Sequence, residues 1–436
     1  MDKLTRTDLA VAAEQALLVC VETPDSKLDP HDPLGELRSL AKTAGAVVVD
    51  EMFAKRRIID PTYYVGSGKA DEIALRAAAA EADVVIFDND LSPAQIRDLE
   101  EVVKRKVLDR SELILDIFAG RARTHEARLQ VELAQLEYTY PRLRHMWTHL
   151  ERIAGGQAAI GGIGTRGPGE KQIEVDRRLV RKRVSDLKRQ LKSIDRRKIR
   201  TVKSRADHFT VCLVGYTNAG KSTLMNRLTD AGVTAEDKLF ATLDTKTSRW
   251  DLGDGLTVLL SDTVGFVAHL PHLLVASFKA TLEEAVHADL LLHVADASHE
   301  RVDQQVEAVN GVLDEIGCAD KDRLLILNKS DRINDPAIAL TLQSRYSDGL
   351  ILSAAQGDGI DALTETVRHR LRGGTVTVKL RADFRNGRLM QYIAQHADVR
   401  SRQWGTTTVD IDDTMGAIQA QGLAQFDPDV DVFECY

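Results

Sequence analysis

The sequence predicts an α/β protein: a parallel sheet covered by helices, preceded by a smaller α/β domain and a long antiparallel helical hairpin, and followed by a small α+β domain. Three observations carry this. After Phe209, aliphatic runs at Thr210–Val214, Thr257–Leu260, Leu290–Val294, Leu324–Leu327 and Leu350–Leu352 are mostly separated by amphipathic helical stretches, the pattern of a buried parallel sheet. Ahead of them, Leu129, Leu133, Leu136, Tyr140, Leu143, Trp147 and Leu150 are spaced 4, 3, 4, 3, 4, 3, and Val180, Val184, Leu187, Leu191 and Ile194 are spaced 4, 3, 4, 3. Both are heptad seams. Between the seams, residues 155–169 hold seven glycines in fifteen positions.

Each element follows from its residues. Residues 1–123 read as the first α/β domain. Ala16–Val21, Ala46–Val49 and Asp83–Phe87 are strand-like, a helix is expected over Ala70–Ala80, and Ser92-Pro93 is a helix start with serine at the cap. Residues 124–205 form the hairpin, with Pro141 expected to kink or split its first helix. At about 1.5 Å per residue its arms reach roughly 40 Å. Two helices packed on neighbouring domains are the alternative. Residues 206–373 form the parallel-sheet domain, closed by Gly373-Gly374. Residues 374–436 open on the alternating strand Val376–Leu380, then a short helix and a strand at Thr406–Ile411.

The 436 residues are 43% hydrophobic and 28% charged, as expected of a folded, soluble protein of two to four domains. Cys20, Cys212, Cys318 and Cys435 lie far apart with no metal-binding spacing, so reduced thiols are expected. No apolar run nears the roughly 18 residues of a membrane span, and Met1–Arg6 leads into no signal-like core. A cytoplasmic location and a monomer are expected.

Gly215-Tyr216-Thr217-Asn218-Ala219-Gly220-Lys221-Ser222 follows a hydrophobic strand and opens a helix. That context makes it a phosphate-binding loop (P-loop), with glycines allowing a tight turn of inward-facing amides at a positive helix end. Lys221 can charge-pair with β- and γ-phosphates, and Ser222, next to Thr223, can ligate Mg²⁺. Asp262-Thr263-Val264-Gly265 follows the next strand, where Asp262 can hold Mg²⁺ and the Gly265 amide can sense a γ-phosphate. Asn328-Lys329-Ser330-Asp331 adds a carboxylate that can take two hydrogen bonds from guanine and none from adenine. Ser353-Ala354-Ala355 can offer an amide to guanine O6. Together these predict a P-loop GTPase domain binding GTP and GDP.

Thr242 is the expected switch threonine on Mg²⁺, with Thr245 and Thr247 as alternatives. Lys221, Thr242, Gly265 and Asn218 are the candidates for a direct part in hydrolysis. Phe266 stands where many GTPases have a water-orienting glutamine, so slow intrinsic hydrolysis is expected. Asn218 resembles the asparagine of GTPases that recruit K⁺; the other reading is a loop-stabilising amide. Val65–Ala70 looks phosphate-like but lacks the four-residue gap and the hydroxyl after Lys69, and reads as a turn into a helix.

The chain carries a net charge of −8, yet residues 171–205 hold fifteen Lys/Arg against four Asp/Glu. A basic helix on an acidic protein points to a polyanion, bound through phosphates with strong salt dependence. A solvated helix face is the plainer reading. Arg152, Arg166, Lys171, Arg177, Arg178 and Arg181 are the candidate RNA contacts.

Tyr64–Ala70, Asp109–Phe118, Arg121–Glu126, Gln130–Leu136, Gly164–Glu170, Asp176-Arg177-Arg178, Leu239–Asp244 and Asp262–Phe266 together resemble the HflX family of bacterial ribosome-associated GTPases. The glycine loop looks longer than in compact members, through Gln157–Ile160. The resemblance implies binding to the large ribosomal subunit and its rRNA rather than DNA, with arm and glycine loop near the peptidyl transferase centre. It also implies GTP-dependent splitting of stalled or idle ribosomes under stress. A factor timing release from an immature large subunit is the alternative function.

Overall fold

The computed structural model describes residues 14–24, 26, 28–138, 178–194, 209–229, 232, 239–240, 245–253, 255–267, 284–372, 375–383, 385–405, 407–416, 420, 423, 426 and 430–433. The first unit alternates strictly: β1 (Gln15–Glu22), α1 (Gly35–Ala44), β2 (Val47–Lys55), α2 (Ser67–Ala79), β3 (Val84–Phe87), α3 (Pro93–Val103), β4 (Lys106–Leu108) and α4 (Arg110–Arg121). Its sheet runs β2-β1-β3-β4, all parallel. Ala16–Val21 of β1 are buried throughout, as a central parallel strand covered on both faces requires. The strand order reverses between β1 and β3, which leaves a crevice at their carboxyl ends. Ser92 and Gln95 form a reciprocal capping box with Pro93 in the first turn of α3, and the Asp109 carboxylate accepts from Glu112 N–H to cap α4.

Three residues separate α4 from the first arm helix, α5, described over residues 125–138; a second, α6, is described over 178–194. Leu129 and Leu133 of α5 pack with Leu187 and Leu191 of α6, flanked by Leu136, Val184 and Ile194. Arg183–Glu132 and Lys188–Glu137 ion pairs, 2.8 and 2.7 Å, border that seam. Tyr140, Pro141, Leu143, Trp147, Leu150 and the glycine loop lie outside the described residues, as does the turn that would make a hairpin.

The third unit contains β5 (Thr210–Gly215), α7 (Lys221–Leu228), β6 (Lys246–Gly253), β7 (Leu256–Asp262), β8 (Leu290–Asp296), α8 (Val302–Glu315), β9 (Asp322–Asn328), α9 (Pro336–Arg345), β10 (Leu350–Ile351) and α10 (Ile360–Leu371). The order is β10-β9-β8-β5-β7-β6, with only β6 antiparallel to its neighbour. The last unit has β11 (Thr375–Asp383), α11 (Gly387–His396), β12 (Ala397–Trp404), β13 (Thr408–Gly416) and β14 (Val430–Phe433), in an antiparallel sheet ordered β12-β13-β11-β14. Val378, Leu380, Leu389, Ile393, Val409 and Ile411 make its core.

One core crosses a unit boundary. It joins Leu37, Leu40, Ile114 and Phe118 of α1 and α4 to Cys212 and Val214 of β5, to Leu313 of α8, and to Phe240, Val264 and Phe266. The first and third sheets are thus held together by apolar packing.

His293 of β8 lies in the same interior. Its imidazole is hydrogen-bonded with Asn310, and Nε2 has no partner among the described residues. Burial, with Arg323 and Lys221 nearby, lowers its pKa to about 4. Unfolded, it would titrate near 6.5, so between those values the unfolded chain binds the extra proton. The neutral form's stability is therefore complete above about pH 6.5 and is lost as pH falls towards 4, by about 3 kcal/mol. Urea midpoints measured from pH 7.5 to 4.5 should fall more steeply for the wild type than for His293→Leu. Parallel slopes would remove His293 as the source.

Candidate nucleotide site

The site is built on the carboxyl end of β5. Gly215, with φ of 151°, turns the chain against the Val294 carbonyl of β8, and Gly220, with φ of 94°, passes the Asn328 amide. A side chain at either position would collide with those groups. Between them Asn218 adopts the left-handed conformation at φ 61° and is exposed. α7 starts at Lys221, so its first N–H groups point into the loop.

Lys221 is buried, and its ammonium donates to the carbonyls of Gly215 and Tyr216 at 3.0 and 2.8 Å. Burial lowers its pKa to about 8, opposed by Asp262 and reinforced by Lys329. Ser222 Oγ donates to Asp262 Oδ2 at 2.9 Å. These two hard oxygen groups, brought together from different strands' ends, suit Mg²⁺. Thr223 follows in the same helical turn. Thr263 is fully buried and donates to the Leu213 carbonyl at 2.6 Å, tying β7 to β5 rather than presenting its hydroxyl to the loop.

Asn328 links three segments. Its Nδ2 donates to the Ala219 carbonyl and its Oδ1 accepts from Ala354 N–H, both at 2.9 Å. Lys329, at φ 63°, pairs with Asp296 at 2.8 Å. Asp331 accepts from Ser353 Oγ at 2.5 Å. The Asp331 side chain is exposed. Arg227 of α7 donates to the carbonyls of Ala354 and Ala355 at 3.2 and 2.6 Å, so the Ser353–Ala355 loop is braced from the helix that follows the phosphate loop.

Gly265 sits directly over the loop: a Cβ on it would lie 2.8 Å from Thr217 Cα and 3.0 Å from Lys221 Nζ. Phe266 N–H donates to the Gly215 carbonyl at 3.1 Å, and Thr217 N–H donates to the Phe266 carbonyl at 2.7 Å. Its ring is 3% exposed. The chain therefore brings together Gly215–Thr223, Asp262–Phe266, Asn328–Asp331 and Ser353–Ala355. Thr242, Arg152, Arg166, Lys171 and Arg177 lie outside the described residues. Arg178 and Arg181 stand exposed on α6 of the arm.

A further contact comes from the first unit. The Tyr216 hydroxyl donates to Glu36 at 2.7 Å. Glu36 pairs with Arg110 at 2.9 Å, and Arg110 with Asp88 at 2.6 Å. Burial opposes the charge on Arg110, but Glu36, Asp88 and Tyr216 overcome it and raise its pKa. These residues, with Asn218 and Asp296, border a cleft of about 380 Å³ where the crevice of the first sheet meets the phosphate loop. Nothing local in the sequence marks Glu36 or the Tyr216 side chain. Arg110 sits in a stretch that marks the resemblance but carries no motif of its own.

Phosphate loop, D-x-x-G segment and N-K-x-D segment on one parallel sheet define a P-loop GTPase. Family models described as GTP-binding GTPase N-terminal, GTP-binding GTPase middle region and 50S ribosome-binding GTPase match residues 31–119, 121–205 and 210–329. GTPase HflX of Escherichia coli strain K12 is 48% identical over 382 residues, covering 87% of this chain and 88% of that protein. GTPase HflX of Magnetococcus marinus is 46% identical over 397 residues, covering 90% of each. The chain belongs to the HflX family of GTPases, and its G domain binds GTP and GDP and hydrolyses GTP. Among solved structures, a GTP-binding protein from Sulfolobus solfataricus in complex with GDP aligns at 23% identity and a TM-score of 0.42, over 82% of this chain and 98% of that one. Among the described residues, no helix is long and apolar enough to cross a membrane.

Asn328→Ala would release the P-loop and the Ala354 loop together and leave a buried amide and carbonyl unpaired, at about 1–3 kcal/mol. Fluorescent GDP should bind about tenfold or more weakly, with urea stability of the first unit unchanged. Unaltered affinity would show that the bridge does not hold the site.

Proposed function

We propose that this chain is a GTP-driven switch on the large ribosomal subunit that dissociates or rescues stalled or idle ribosomes, chiefly under stress, acting as a monomer in the cytoplasm. The observation that carries this is the arm. Arg178, Arg181, Lys182, Lys188, Arg189 and Lys192 stand exposed on α6 while Leu187 and Leu191 bury its other side. Such a face suits rRNA phosphates, and the match to the model described as 50S ribosome-binding GTPase supports that partner over DNA. The same reading divides the chain into an N-terminal α/β domain (1–123), a ribosome-binding arm (124–205), a G domain (206–373) and a C-terminal domain (374–436).

In hydrolysis, Lys221 would balance charge on the β- and γ-phosphates, the Gly265 amide would meet the γ-phosphate, and Asn328, Lys329, Asp331 and the Ser353–Ala355 loop would select guanine. Ser222, Asp262 and Thr242 would hold Mg²⁺, which when bound neutralises phosphate charge. Phe266 has no group to orient water, so intrinsic turnover is slow and the ribosome stimulates it. Asn218, exposed beside the phosphate loop, supports K⁺ as an additional charge; equal turnover in K⁺ and Na⁺ buffers would exclude it.

Light scattering of intact ribosomes mixed with the protein and a non-hydrolysable GTP analogue should fall, and should not fall with GDP. Unchanged scattering removes the splitting activity, and preferred binding to immature large subunits would favour the assembly role. Arg178→Glu with Arg181→Glu should weaken large-subunit binding and reduce the salt dependence of log K by about 2. An unchanged slope would mean that these arginines do not reach phosphate.

A further inference from the structure

The loop after β10 commits all but one of its first amides. Ser353 N–H donates to the Asp358 carbonyl at 3.0 Å, and Gly357 N–H to the Ser353 carbonyl at 2.7 Å. Gln356 N–H donates to Ser353 Oγ at 3.1 Å, and Ala354 N–H to Asn328 Oδ1 at 2.9 Å. Among the described residues, Ala355 N–H has no acceptor. Ala354 is buried and Ala355 exposed, which leaves that donor at the surface, within reach of a ligand. The carbonyl of the same peptide unit, that of Ala354, accepts from Arg227 Nε at 3.2 Å, and the next carbonyl, that of Ala355, accepts from Arg227 Nη2 at 2.6 Å. The Ala354–Ala355 bond is trans, so its N–H points opposite to its C=O. Two guanidinium contacts on successive carbonyls therefore fix the plane of this peptide and aim its N–H away from the Arg227 side chain. A charged donor on the carbonyl also polarises the unit and makes its N–H the stronger donor.

We propose that Arg227 is a positioning residue for guanine recognition: acting through the Ala354–Ala355 peptide, it aims the Ala355 N–H at guanine O6. The two edges of the base are then read separately. Asp331, held by Ser353 Oγ at 2.5 Å, takes the N1–H and the exocyclic amine. Ala355 N–H takes O6, which adenine replaces with an amine that is no acceptor. Arg227 belongs to neither base-reading segment. It stands six residues after Lys221 on α7, the helix that opens at the phosphate loop, so the aim of the base loop is set from the phosphate side of the site. The proposal rests on the assignment of Asp331 and Ser353–Ala355 to the base made above.

Competition against fluorescent GDP gives the affinities of GDP, 6-thio-GDP and inosine diphosphate for the full-length protein. 6-thio-GDP keeps both donors for Asp331 but presents sulfur, a weak acceptor, in place of O6. Inosine diphosphate keeps O6 and lacks the amine. Arg227→Met keeps an apolar stem and removes both contacts. It should narrow the preference for GDP over 6-thio-GDP by about threefold or more and leave the preference for GDP over inosine diphosphate unchanged. Arg227→Lys, which retains one charged donor, should fall between the two, and it carries the test if the methionine variant does not fold. An unaltered ratio of GDP to 6-thio-GDP overturns the proposal. So does an equal change in both ratios, which would make Arg227 a brace for the whole loop. A wild type that prefers GDP to neither analogue would remove the base-site assignment itself, and the proposal with it.

Discussion

Tyr216 belongs to two domains at once. Its carbonyl accepts the Lys221 ammonium at 2.8 Å, and its hydroxyl donates to Glu36 at 2.7 Å. Glu36 in turn meets a guanidinium, Arg110, that is only 4% exposed. A charge so placed is tolerated only while its partners remain, since removing one leaves several kcal/mol of uncompensated desolvation. Asp88, at the end of β3, and Glu36, in the first turn of α1, are both needed, and both sit at the point where the strand order of the first sheet reverses. The crevice that such sheets usually offer to a ligand is therefore bordered by the phosphate loop of the next domain. The geometry of the nucleotide site is in part a property of the N-terminal unit.

The parts of the site that sequence makes visible are those built within a few residues. The P-loop, D-x-x-G and N-K-x-D segments each follow a strand, and each does its work through backbone groups and short side chains whose spacing is local. Buried strands were visible for the same reason: β1, β3, β5 and β8 are continuous aliphatic runs. β6 was not, because Lys246–Gly253 buries only Trp250 and Leu252 and is otherwise polar. β4 is three residues long, and β2 extends well beyond Ala46–Val49 through the polar Asp50-Glu51 of an edge strand. The Tyr216–Glu36 bond spans 180 residues, and no periodicity or motif reports a contact of that separation. Phe240 and Phe266 were visible as residues of the switch segments, but that they share a core with Phe118 follows only from how two sheets meet.

The same distinction explains why a phenylalanine stands at 266. Read against other GTPases, it is a missing glutamine, a group that can no longer orient water. Read in place, it is a core residue whose ring packs where a carboxamide would be buried without partners, a change that costs about 1–3 kcal/mol. Its backbone, meanwhile, supplies both hydrogen bonds that close the D-x-x-G segment over the loop. A glutamine could make those backbone bonds but would loosen the seat that holds them. The lack of a carboxamide at position 266 and the packing of that position against the N-terminal unit are thus consequences of one choice of residue.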